Sequence, residues 1–114
     1  MRVYLIAAAV AFVLVPTGTT SAHYVTGNDL LRMCKGTPLE RAECVGYLQG
    51  YLDMLEIKLY HAELRACPPR GTKIESVRDA VVQYLDTHKG RDLMAPSLVG
   101  AAIASHWDCL ALKK

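Results

Sequence analysis

Four cysteines, Cys34, Cys44, Cys67 and Cys109, follow an uncharged apolar run from Val3 to Val15. That combination constrains the chain more than any other feature. Arg2 precedes the run, and the small polar stretch Pro16 to Ala22 follows it, the three-part layout of a secretory signal peptide. The run is 13 residues long, whereas roughly 20 are needed for a helix to cross a bilayer. Cleavage is expected after Thr20-Ser21-Ala22. Residues 1–22 then form the signal peptide and residues 23–114 the mature domain, periplasmic and without a membrane attachment. A domain this size buries only about two-thirds of its unfolded surface, so its core is marginal. An even cysteine count in an exported chain reads as two disulfides.

Hydroxyl residues followed three later by an acid, the capping-box pattern, open three expected helices. Thr26-Gly27-Asn28-Asp29 starts a short one ending near Cys34, with Gly36 as a left-handed stop. Thr37-Pro38-Leu39-Glu40 starts a long one, with proline where its missing N–H is harmless, and no breaker appears until Cys67-Pro68-Pro69. Val45, Leu48, Leu52, Leu55 and Leu59 mark its inner stripe at spacings of three and four. Thr72-Lys73-Ile74-Glu75 starts the third, which runs to about His88 with Ile74, Val77, Val81, Tyr84 and Leu85 inward. The fourth starts near Asp92 or Ala95 and buries Leu98, Val99, Ala102, Ile103 and Trp107. No segment alternates strictly between apolar and polar residues, so the reading is all-α: a small four-helix, bundle-like domain stapled by two disulfides.

Gly46 and Gly50 lie four apart inside the long helix, each about 1 kcal/mol less favourable there than alanine. The expected use is close approach by another helix, with Ala101, Ala102 and Ala104 as small partners. Tyr47 is expected to complete the core or cover a dimer surface, and Asp53 to sit at the same helix contact as a hydrogen-bonding residue.

Cys34 ends the first helix and Cys44 lies two turns into the second, so an antiparallel turn between them favours Cys34–Cys44, leaving Cys67–Cys109. Sequence alone leaves two other pairings open. The thiols show no short paired spacing and no two histidines sit three to five apart, so no metal or cofactor is expected. With every thiol paired, no nucleophile remains for a cysteine enzyme, and no phosphate loop is present. Lys and Arg number 13 against 11 Asp and Glu, a net charge of +2, too little for nucleic-acid binding by bulk charge. A non-enzymatic binding protein is the class that remains.

The pattern Gly27-x-x-Leu30-x-x-x-Cys34, Cys44-Val45-Gly46-Tyr47-x-x-Gly50-x-x-Asp53 and Cys67-Pro68 resembles the Rap/Tai family. So does Val81-x-x-Tyr84-Leu85-x-x-His88 followed by Leu98-Val99 and Trp107-Asp108-Cys109. The resemblance implies a small exported helical protein of Gram-negative bacteria, an immunity protein that binds and inhibits a peptidoglycan amidase effector of type VI secretion, often as a homodimer. Two positions depart from the family pattern, which commonly has proline where Asp108 stands and His-Pro where His88-Lys89 stands. The Cys-x-Gly-Tyr run is also similar to that of HdeA-type periplasmic acid-stress chaperones, which usually carry one disulfide rather than two. Under the inhibitor reading, the connections Pro68 to Lys73 and His88 to Met94 are the candidate segments to present to a partner. The sequence assigns no contact residue.

Overall fold

The computed structural model describes residues 23–109 together with Ala11; the expected signal peptide otherwise lies outside the described residues. Four helices follow in order: α1 (Gly27–Lys35), α2 (Pro38–His61), α3 (Ile74–Thr87) and α4 (Ala95–Trp107). Among the described residues the only strand-like pairing is a single antiparallel bridge between Thr26 and Met94.

Two of the three capping boxes form. The Thr26 hydroxyl accepts from the Asp29 N–H at 3.2 Å while the Asp29 carboxylate accepts from the Thr26 N–H at 3.0 Å. Thr37 and Glu40 repeat the exchange at the start of α2, with Pro38 in its first turn. The third box does not form. The Thr72 hydroxyl donates to the Pro69 carbonyl at 2.6 Å instead, and α3 starts after Lys73 without a side-chain cap. The turn that follows the two prolines captures the hydroxyl before the helix can use it. Gly36 also departs from expectation: it closes α1 in extended rather than left-handed backbone.

The second helix stops at His61, well before Cys67. Glu63 takes the left-handed conformation, φ +56°, and donates its N–H to the Tyr60 carbonyl at 3.1 Å. The Leu64 N–H reaches the Leu59 carbonyl at 2.9 Å. These paired bonds are a Schellman ending, with Leu64 packing toward the core as its usual hydrophobic contact.

The core is one cluster. Leu30, Leu48, Val77, Val81, Leu85, Val99 and Ile103 are fully enclosed, and among the described residues no polar side chain is buried. Leu48 and Leu59 are the buried members of the α2 stripe; Val45, Leu52 and Leu55 are partly covered. Both expected disulfides form. Cys34–Cys44 joins α1 to α2 across a Cα separation of 5.1 Å, and Cys67–Cys109 ties the α2–α3 connection to the end of α4 across 5.7 Å. All four cysteines are buried within the core cluster. α3 packs against each of the other helices, whereas α2 packs on α1 and α3 and scarcely meets α4.

Candidate interaction surface

Asn28 and Gly27 donate their N–H groups to the carbonyls of Arg91 at 2.8 Å and Leu93 at 3.0 Å, and Ala95 donates back to Val25 at 2.8 Å. The chain entering α1 is thus laced to the connection between α3 and α4. Gly27 is required there: a Cβ would stand 2.8 Å from the Arg91 carbonyl oxygen and 2.3 Å from Leu98 Cδ1. The Arg91 guanidinium donates to the Leu85 carbonyl at 3.4 Å, which ties the connection to the end of α3. His88 stacks on Tyr84 with ring centroids 4.9 Å apart. Despite this bracing, Leu93 and Met94 stay about half exposed (54% and 51%). Tyr24 is exposed on the opposing segment. Lys89, Arg91 and Asp92 flank the apolar pair in sequence. The expected segment His88 to Met94 is therefore a fixed ridge with an apolar edge.

Of the other expected segment, Pro68 to Lys73, residues Pro68 to Thr72 form one wall of a cleft of about 160 Å³. Leu52 and Glu56 of α2 form the other wall. Arg70 crosses to Glu56 at 3.2 Å, and Gly71 makes the turn at φ +88°. Both charged side chains are largely exposed, so the pair contributes little stability.

Gly46 and Gly50 do not meet α4. A Cβ added at either would find nothing within 4 Å, and both residues are exposed. Their spacing predicts a face against another helix; in the structure that face points outward, opposite the buried Cys44, Leu48 and Leu59. Asp53 is exposed too, so it is no buried hydrogen-bonding residue. Ala102 is buried in the core and Ala101 is exposed; neither faces a glycine of α2. Tyr47 does pack against the core, and burial together with the neighbouring Tyr51 pushes its phenol above the usual tyrosine range.

Among the glycines away from helix ends, the one with a close neighbour is Gly100 of α4, where a Cβ would lie 2.8 Å from the Tyr51 hydroxyl. No periodic signal announces it, because no second glycine lies at helical spacing from Gly100. Beside this contact, Tyr51, Met54, Leu55, Ile57, Pro96 and Ser97 line a largely apolar groove of about 530 Å³.

Electrostatically the surface is mixed. Thr26 N–H and hydroxyl groups hold the Asp29 carboxyl below its ordinary value, and Thr37, with a smaller contribution from Arg32, does the same for Glu40. Arg32 bridges to Glu40 at 2.8 Å, and Lys35 pairs with Asp86. Among the described residues no group of three His, Cys, Asp or Glu side chains could hold a metal ion. No described helix is long and apolar enough to cross a membrane.

A family model for Rap1a immunity proteins matches residues 26–109. No curated protein and no solved structure matches the chain.

Proposed function

Since the chain belongs to the Rap1a immunity protein family, we propose that it is a periplasmic inhibitor that binds and blocks a peptidoglycan amidase effector of type VI secretion. The observation that supports this reading is the ridge from His88 to Met94. It is braced by Gly27, Asn28, Val25 and Leu85, yet it leaves Leu93 and Met94 uncovered. A segment held in place before binding loses little freedom on binding, so more of its contact energy appears as affinity. The two disulfides extend that preorganisation to the helices behind the ridge.

The inhibitor acts by occupancy. Leu93 and Met94 enter the cleft of the amidase, and Lys89, Arg91 and Asp92 contact its rim. It carries out no reaction of its own; all four thiols are committed to disulfides. The functional unit is a homodimer, and the signal peptide of residues 1–22 delivers it to the compartment where an amidase would reach peptidoglycan.

The test is inhibition. The oxidised mature protein is mixed with a peptidoglycan amidase effector of type VI secretion, and release of peptidoglycan fragments is followed. Stoichiometric inhibition is expected, and the double variant L93S/M94S should weaken it by about 100-fold or more, as expected for loss of two central apolar anchors. An amidase that keeps full activity with excess wild-type protein would refute the reading.

A further inference from the structure

All four cysteines are held in disulfides, and no thiol is free. The thioethers of methionine are then the sulfur atoms left open to a mild oxidant. Three methionines, Met33, Met54 and Met94, lie among the described residues, and their surroundings differ. Met33 is half-buried and packs against the core cluster. Met54 of α2 is 68% exposed. Met94 is 51% exposed and stands at the head of α4, at the end of the ridge, where its backbone pairs with Thr26. Its neighbours on either side are fastened as well: the Leu93 carbonyl accepts from the Gly27 N–H at 3.0 Å, and the Ala95 N–H donates to the Val25 carbonyl at 2.8 Å. A shift of the chain large enough to withdraw the Met94 side chain would break these bonds.

We propose that Met94 is a site of oxidative modification that switches the inhibitor off. The proposal rests on the reading above, in which Leu93 and Met94 enter the amidase, and it adds a control on that contact. The oxidant is a peroxide. The Met94 sulfur attacks one peroxide oxygen. The S–O bond forms as the O–O bond breaks, the sulfur loses two electrons, and with hydrogen peroxide the other oxygen leaves as water. The product is a sulfoxide, which turns an apolar side chain into a polar one. In the free protein its new oxygen is hydrated. Seated in the amidase it loses that water, and a polar group buried without a partner weakens binding about 10-fold or more. The coupling runs in both directions. A bound amidase covers Met94 and shields it from peroxide, so protein already in the complex stays active while free protein is disarmed. Met54 lies outside the ridge and supplies a comparison within the same molecule: it is at least as exposed, yet its oxidation leaves the contact intact.

The test exposes the disulfide-bonded mature protein to hydrogen peroxide, removes the peroxide, maps sulfoxide at each methionine by peptide mass spectrometry, and titrates the amidase with treated and untreated protein. Met94 and Met54 should convert well ahead of Met33. Treatment should raise the wild-type inhibition constant about 10-fold or more with unchanged far-ultraviolet circular dichroism. Met54→Leu should lose inhibition on treatment as wild type does. Met94→Leu should have the same inhibition constant before and after treatment, whatever its starting value. With the amidase in excess, conversion of Met94 should slow while that of Met54 does not. Undiminished inhibition by wild-type protein whose Met94 is fully converted would overturn the proposal. So would a loss that persists in Met94→Leu, a loss that Met54→Leu prevents, or a loss that comes with a changed circular dichroism. Untreated wild-type protein that leaves the amidase fully active would overturn the inhibitor reading, and the proposal with it.

Discussion

Removing the two disulfides separately should produce unequal losses, and the order follows from what each bridge encloses. Cys34 and Cys44 are 10 residues apart, Cys67 and Cys109 are 42 apart. Each cystine is buried in the same core cluster, so replacing either pair by alanine removes similar sulfur packing and leaves similar cavities. What differs is the freedom returned to the unfolded chain. On the chain-entropy account the bridges contribute about 2.7 and 4 kcal/mol, and their difference, three-halves RT times the logarithm of 42 over 10, is about 1.3 kcal/mol. Such losses are large beside the whole net stability of a small domain. With a urea slope of about 1 kcal/mol/M, usual at this size, the C67A/C109A midpoint should fall about 1 M below that of C34A/C44A. Urea melts of both double variants, followed by circular dichroism, give the comparison. Equal midpoints, or a lower midpoint for C34A/C44A, would refute the loop-entropy argument.

Glu63→Gly should raise stability by about 0.5–1 kcal/mol, read as a higher urea midpoint, because Glu63 occupies the left-handed position of a Schellman ending that glycine adopts without steric penalty. Acid should weaken the fold through the caps. Asp29 and Glu40 have folded pKa values below their ordinary ones, so their stabilisation is fully present above the ordinary carboxylate range and is lost as pH falls through the depressed folded values. Thr26→Ala and Thr37→Ala should each lower stability by about 1 kcal/mol at pH 7. Thermal melts between pH 7 and 2 should show a shallower acid loss in both variants, and an unchanged acid slope would contradict the assignment.

The parts of this fold that depend on short-range chemistry were legible in the residues. The boxes at Thr26 and Thr37, the inner stripes, and the pairing of cysteines at neighbouring helix ends all follow from contacts within a few turns. The misreadings have equally local causes. Thr72 carries the same box pattern, but a prolyl carbonyl three residues earlier competes for its hydroxyl. Sequence places the end of α2 late because the stop is a glutamate in a conformation that usually advertises itself with glycine. The spacing of Leu59 and Leu64, five apart, was the available signal. Gly46 and Gly50 define a helix face, but spacing alone does not say whether that face looks inward or outward. Gly100 shows the converse: its role depends on Tyr51, half a domain away in sequence, and no local pattern announces it. The ridge at Leu93 and Met94 had no sequence signature beyond a long connection, since its rigidity comes from backbone bonds to Val25, Gly27 and Asn28.

Those backbone bonds have a practical corollary for anyone handling the protein. Val25 is fastened to Ala95, so any affinity tag or fusion placed ahead of His23 emerges beside the edge formed by Leu93 and Met94. A bait built that way would shield the surface meant to capture the enzyme and would report weak or absent binding.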